Sequence, residues 1–292
     1  MSADFSEETS ADAVAASFDA APDRLRTVLV SLVRHLHGFI RDVGLTQREW
    51  EAAVEFLTAT GQKCDDTRQE FILLSDVLGV SMLVDAINHR RPTGATASTV
   101  LGPFHVVDSP PRELGADIAA GVDGEPCLVT GRVVGTSGEP LPGALVDIWQ
   151  ADHRGFYDVQ QPDRVAVGSL RGFFTCDGEG RFRFRTVVPA PYPIPSDGPV
   201  GVLLAATGRH PNRPAHIHVI AGAAGYEPVT THVFVAGSPW LDSDAVFGVK
   251  RSLIREFRAV DDPAEAARNG IPNPYRHTEF DIVLQPAAPQ DA

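Results

Sequence analysis

The sequence predicts a mainly β protein with an α-helical N-terminal domain and a β-sandwich that carries the chemistry. Three observations point there. Apolar residues recur at three- and four-residue spacing up to about residue 90. Beyond about residue 100 the period falls to two, in short runs bounded by Gly and Pro. One of those short runs holds two histidines two apart, His216 and His218, which a strand directs to the same face.

The change of period divides the chain into a helical domain, residues 1–100, and a β-sandwich, residues 101–292. Residues 1–20 are rich in Ala, Ser and acids and read as frayed or marginally helical. Leu25, Val28, Leu29, Leu32, Val33, Leu36, Phe39 and Ile40 then form one apolar stripe. By itself that stripe reads as an ordinary helix core. Thr46-Gln47-Arg48-Glu49 fits a capping box and starts a second helix carrying Trp50, Val54 and Leu57. Phe71, Leu74, Val77 and Leu78 mark a third. Helical sequence continues from Met82 to His89, until Arg91-Pro92-Thr93-Gly94 stops it.

The strands follow. Cys127 to Thr130 with Arg132 to Val134 reads as the first, and Ala144 to Trp149 as the next after a turn at Gly138-Glu139-Pro140. Phe173 to Cys176 and Arg181 to Arg185 read as the arms of a hairpin about Asp177-Gly178, the second arm alternating cleanly. His216 to Ile220, Thr230 to Val235 and Phe280 to Leu284 complete at least seven strands. Many short strands with Gly/Pro turns mean a sandwich.

The formal net charge of −13 argues against nucleic acid and anionic membrane surfaces as partners. A phenolate or carboxylate substrate must therefore meet local positive charge at its site. Cys64, Cys127 and Cys176 are far apart and lack metal spacing, which fits a reducing cytoplasm rather than a disulfide framework. The acidic N-terminus has neither a basic nor an apolar signal segment, and no run of about 18 apolar residues spans a membrane.

In Arg213-Pro214-Ala215-His216-Ile217-His218 two imidazoles converge as a metal requires, with a guanidinium three residues upstream. Two of the four tyrosines supply further donors. Tyr157 lies in Gly155-Phe156-Tyr157-Asp158. Tyr192 is wedged in Pro189-Ala190-Pro191-Tyr192-Pro193-Ile194-Pro195, a rigid extended segment. Phenolate is a hard anionic donor, so two His and two Tyr point to ferric iron rather than to a softer metal. Taken singly, each tyrosine also fits a half-buried amphipathic residue, and Arg213 a surface residue of a Pro-rich loop.

The chain resembles the intradiol ring-cleaving dioxygenases, the non-haem ferric family that includes catechol, chlorocatechol and hydroxyquinol 1,2-dioxygenases. The residues that carry the resemblance are Thr99 to Phe104, Leu141 to Asp152, Gly155-Phe156-Tyr157, Leu170-Arg171-Gly172 and Arg213 to His218, in the family's order. Leu73 to Gly79 and Ser98 to Phe104 are most like the hydroxyquinol branch. The resemblance implies one Fe(III) per subunit, held by Tyr157, Tyr192, His216 and His218 with hydroxide as a fifth ligand. It makes Tyr192 the tyrosine that leaves when substrate chelates and Tyr157 the one that stays. Arg213 would face the ring carbon attacked by O2. Leu73, Asp76, Val100, Leu101, Gly102, Pro103, Phe104, Ile194, Pro195 and Val246 match positions that wall the pocket.

Asp76 follows an apolar run, where a carboxylate needs a partner. It reads either as the acceptor of a third ring hydroxyl, favouring hydroxyquinol (1,2,4-trihydroxybenzene), or as a helix-surface or capping residue. The implied reaction is cleavage of hydroxyquinol to 3-hydroxy-cis,cis-muconate. Catechol or chlorocatechol cleavage to cis,cis-muconates is the alternative within the family. Outside it stand a non-catalytic β-sandwich binding module and a cupin-type ferrous oxygenase, although Glu227 lies too far beyond His218 for the cupin motif. The resemblance also implies a homodimer through the N-terminal helices with a phospholipid at the interface. Among the remaining histidines, His232 is the candidate for a group behind the ligands.

Overall fold

A computed structural model describes residues 5–65 and 68–288. The chain forms two compact units that part between Gly61 and Gln62. No helix among the described residues is long and apolar enough to cross a membrane.

The first unit holds α1 (Ser10–Ala16), α2 (Asp23–Val43) and α3 (Gln47–Gln62), the last of which ends at the boundary. α1 packs on α2, where the Ser10 hydroxyl lies 3.1 Å from His37 Nδ1. The expected capping box is present. Thr46 N donates to Glu49 Oε2 at 2.9 Å, and Glu49 N donates to Thr46 Oγ1 at 3.3 Å. The apolar stripe does not form a helix core. Leu25, Val28, Leu32, Leu36 and Phe39 on α2 are 45–57% exposed, because three helices, one of them only two turns long, are too few to cover it.

The second unit opens with α4 (Glu70–Val77) and α5 (Val80–Asn88). β1 (Pro126–Gly135), β2 (Leu145–Gln150), β3 (Arg171–Thr175), β4 (Arg181–Val187) and β5 (Tyr192–Pro193) follow. Then come α6 (Pro199–Ala206), β6 (Asn212–Arg213), β7 (His216–Gly222), β8 (Val229–Val235), β9 (Ile254–Arg255) and β10 (Arg258–Val260). α7 (Pro263–Asn269), β11 (Tyr275–Glu279) and β12 (Ile282–Leu284) complete the unit. α4 packs with the later elements of its own unit. Its wholly buried Glu70 accepts from Val200 N of α6 at 3.1 Å, and Leu73 and Val77 join Val200, Leu204 and Val246 in one apolar cluster. Residue 100 thus marks a change of periodicity, whereas contacts thin out at residue 61.

Two five-stranded sheets form the sandwich. In one, β1 pairs antiparallel with β4 and parallel with β11 and β12, and β10 flanks β11. The other runs β3-β2-β7-β8-β9. Between them lies a core of Val129, Val133, Phe182, Phe184 and Ile282 from the first sheet and Val146, Ile148, Phe174, Ile217 and Val219 from the second. The expected hairpin is not formed, since β3 pairs with β2 and β4 with β1. The turn at Asp177 carries the chain from one sheet to the other. Its carboxylate accepts from Glu179 N and Arg181 N at 2.9 and 2.8 Å. Phe174 and Phe184 therefore meet across the core, stacked at 5.4 Å. Alternation in β4 reports a buried face and does not say which strand is the neighbour.

Phe184→Ala removes a fully buried ring from this contact and is expected to cost about 3–5 kcal/mol. The midpoint of urea unfolding, followed by tryptophan fluorescence, checks it.

Candidate metal centre

β7 sorts its side chains by parity. Ile217 and Val219 enter the sandwich core, while His216 and His218 project from the opposite face, and all four are buried. Neighbouring strands extend the second set. Trp149 of β2 stands opposite His218, and His218 opposite His232 of β8, so the three occupy one rung across three strands. The Trp149 ring stacks on His218 at 4.6 Å and 10°.

Two connecting segments bring the phenols over this face. Tyr157 precedes a 3-10 turn at Asp158–Gln160, and its N–H donates to Gln160 Oε1 at 2.9 Å. Tyr192 lies in β5, paired with β6 so that it stands opposite Arg213. The two segments touch at Gly155, whose φ is +88°, and a Cβ there would lie 2.7 Å from Tyr192 Cβ. Only glycine allows both that approach and that backbone.

The four donor atoms close a ring. Tyr157 Oη is 3.1 Å from Tyr192 Oη, and Tyr192 Oη is 3.4 Å from His216 Nε2. His216 Nε2 is 3.2 Å from His218 Nε2, which is 3.0 Å from Tyr157 Oη. Metal–nitrogen bonds of about 2.0–2.1 Å separate neighbouring donors by such distances. The donor set therefore fits one ion, and its two hard phenol oxygens fit a hard one.

Electrostatics agree. Burial lowers His216 to a pKa of about 3, with Arg213 adding to the effect, and burial likewise holds His218 well below its ordinary value. Both imidazoles are thus neutral, as ligands must be. His216 Nδ1 donates to Pro214 O at 2.7 Å, which leaves its Nε2 lone pair facing the phenols. Burial, reinforced by Tyr192, raises the Tyr157 phenol well above its usual value. Ionising it therefore requires nearby positive charge, such as a metal supplies.

His216, His218 and His232 also bring ring nitrogens within 4.8 Å of one another. Yet His232 Nε2 lies 2.7 Å from His218 Nδ1, the nitrogen that faces away from the phenols. It is a partner of a donor rather than a donor to the same point. Burial holds His232 neutral as well.

Arg213 is 3% exposed, and its Nη1 lies 3.3 Å from His216 Nε2. The Asp244 carboxylate fixes it through two contacts, Nε to Oδ1 at 3.0 Å and Nη2 to Oδ2 at 3.2 Å. Burial alone would raise the Asp244 pKa, but the guanidinium outweighs it and the group stays low.

A cavity of about 980 Å³ adjoins the centre. Of the expected wall residues, Leu73, Asp76, Val100, Leu101, Gly102, Pro103, Phe104 and Pro195 line it. Ile194 and Val246 lie behind, in the cluster with Leu73 and Val100. Neither Arg213 nor the four ring-forming residues line the cavity. Gly102 and Phe104 join it to them. Phe104 stacks on Tyr157 at 4.5 Å, and a Cβ on Gly102 would lie 2.9 Å from His218 Cε1. Asp76 is 6% exposed, and burial raises its pKa against the opposing hydrogen bond from Ser81 and the charge of Arg213. A second cavity of about 450 Å³ lies beside Asp244 and Arg209, and none of the expected residues lines it.

The sequence reading missed three participants. Asp244 stands in an irregular segment with no period to mark it. Trp149 becomes visible only once register places it opposite His218. The third is the ion pair of Arg171 with Asp158, both buried, next to Tyr157. Asp158 also accepts from Gly168 N at 3.0 Å, and Arg171 Nη1 donates to Phe104 O at 3.3 Å, so the pair binds the Tyr157 turn to β3 and to the cavity wall.

Asp158→Asn would leave the Arg171 charge buried without its counter-ion. An expected loss of about 3–5 kcal/mol follows from an uncompensated buried charge. Calorimetric unfolding of the metal-free protein checks it.

Two family profiles match the chain, one described as catechol dioxygenase N terminus over residues 22–96 and one as dioxygenase over residues 104–286. A 6-chlorohydroxyquinol 1,2-dioxygenase of Cupriavidus pinatubonensis is 53% identical over 92% of this chain and 93% of its own. A hydroxyquinol 1,2-dioxygenase of a Rhizobium species is 50% identical over 96% of both chains. The crystal structure of hydroxyquinol 1,2-dioxygenase from Pseudomonas putida DLL-E4 superposes with a TM-score of 0.91 at 48% identity, over 96% of this chain and 99% of that one.

Proposed function

The chain belongs to the intradiol ring-cleaving dioxygenases, and on that premise we propose that it cleaves hydroxyquinol with O2 between the adjacent hydroxyls. Both oxygen atoms enter the product, 3-hydroxy-cis,cis-muconate, the enol form of maleylacetate. The observation that carries the reading is the closed ring of Tyr157, Tyr192, His216 and His218 donor atoms, 3.0–3.4 Å apart. These residues would hold one Fe(III) per subunit. Bound there, the ion would supply Lewis acidity, lowering the pKa of the diol hydroxyls so that the deprotonated ring becomes electron-rich enough at carbon for O2 to attack it.

The rest of the chemistry falls to side chains. Tyr192 would take up a substrate proton on its phenolic oxygen. Arg213 brings a permanent positive charge into a buried site, where it stabilises oxyanion character developing at the attacked carbon. Asp244 keeps that charge aimed. Leu73, Val100, Leu101, Gly102, Pro103, Phe104, Ile194, Pro195 and Val246 would hold the flat ring and exclude water. Asp76 would accept a hydrogen bond from the third hydroxyl, its burial favouring a partner over solvent.

We also infer a homodimer through the N-terminal helices with a phospholipid at the interface. The half-exposed Leu32, Leu36 and Phe39 of α2 support an apolar contact there. The sequence features already described favour the cytoplasm. Sedimentation, and mass spectrometry of extracted lipid, check the assembly.

Iron-loaded protein is expected to be red from tyrosinate-to-Fe(III) charge transfer, and anaerobic hydroxyquinol should shift the band. A colourless protein with full iron loading sinks the two-tyrosine reading. For the substrate, Asp76→Ala should lower kcat/KM for hydroxyquinol relative to catechol by roughly 10–100-fold, the worth of a hydrogen bond to a charged group at about 1.5–3 kcal/mol. Equal losses on both substrates would remove Asp76 as the discriminator and favour catechol or a chlorocatechol as the physiological class.

A further inference from the structure

We infer that His232 is a positioning residue whose Nε2 accepts the Nδ1–H of His218, fixing the tautomer that turns the His218 Nε2 lone pair toward the metal. The inference rests on the iron-centre reading above and assigns a role to a residue that contributes no ligand atom.

The two ligand histidines are oriented by different means. His216 Nδ1 lies 2.7 Å from a main-chain carbonyl, Pro214 O, which can only accept. That contact alone settles the His216 tautomer. His218 Nδ1 lies 2.7 Å from another imidazole nitrogen, His232 Nε2, which can accept or donate. The pair therefore has two arrangements. If His232 Nε2 donates, the His218 proton sits on Nε2, 3.0 Å from the Tyr157 oxygen and 3.2 Å from His216 Nε2. That proton occupies the position a metal needs. If His232 Nε2 accepts, His218 carries its proton on Nδ1 and offers a free lone pair at Nε2. His232 must then carry its own proton on Nδ1.

That nitrogen is buried, and no hydrogen-bond partner reaches it. His232 is 0% exposed, so bulk solvent does not reach it. A buried donor without a partner is costly. The cost is intelligible if the other ring nitrogen is committed to His218. Geometry enforces the commitment. His232 and His218 are cross-strand partners of β8 and β7, and their rings meet edge to face at 4.2 Å. On the other flank Trp149 stacks on His218 and stops the ring from turning. Partners that fix a ligand histidine in this way affect metal affinity by roughly 10–100-fold.

The test compares wild-type protein with His232→Leu and His232→Gln. Leu fills similar space and accepts nothing, whereas the Gln carbonyl oxygen can still accept from His218. Iron retention is read by competition with a chelator, and folding by Tm of the metal-free proteins. His232→Leu should bind Fe(III) roughly 10–100-fold more weakly, with His232→Gln restoring most of the loss at a similar Tm. Leu binding iron as tightly as wild type, or Gln losing as much as Leu, overturns the role. Should the Leu variant fail to fold, ¹⁵N NMR of wild-type protein loaded with diamagnetic Ga(III) decides. His232 must show Nδ1 protonated and Nε2 bare, and the reverse overturns the inference. Wild-type protein that takes up neither ion defeats the iron reading and this one together, whereas a loaded wild type with indifferent variants defeats only the role of His232.

Discussion

Everything at this centre depends on the two-residue alternation of β7, held in register between β2 and β8. One parity sends Ile217 and Val219 into the sandwich core, and the other sends His216 and His218 to the opposite face. A slip of one residue would exchange the two sets. The apolar core thus fixes the candidate metal centre as firmly as it fixes the fold. The same register delivers Trp149 and His232 to the His218 rung, so the groups that touch the His218 ring come from the strands that pair with it.

Burial is the second constraint, and it acts on each polar group differently. It makes the imidazoles neutral, keeps the Tyr157 phenol protonated in the absence of a cation, and raises the Asp76 pKa. Buried cations are tolerated only where a carboxylate meets them through paired contacts, Arg213 with Asp244 and Arg171 with Asp158. In a chain of net charge −13, these pairs hold two buried guanidinium groups beside the candidate centre.

The residues that reveal most to a reader of the sequence are those whose chemistry is unusual for their surroundings. Two histidines alternating with β-branched residues, and a tyrosine confined among prolines, stand out at once, and the structure brings them together. The helices at Glu70–Val77 and Val80–Asn88 were also legible from periodicity. α6 was not, because Val200 to Ala206 is apolar all round and shows no face. β11, Tyr-Arg-His-Thr-Glu, is too polar to read as a strand until it pairs with β1. The hairpin expected about Asp177 failed because alternation records which face is buried and carries no record of the neighbouring strand.

The sequence by itself determined the family, the order of helices before strands and the residue types of the candidate metal centre, because these follow from local spacing and side-chain chemistry. Only the tertiary structure decided that β3 and β4 part into different sheets, that the chain's own helices leave the stripe on α2 uncovered, and that Asp244 stands behind Arg213. Each of those depends on pairing between segments far apart in the chain, and long-range pairing leaves no local period to read. The candidate donors, and His232 as a group behind them, were therefore visible in the sequence, whereas Asp244 and Trp149 emerged only from the packing.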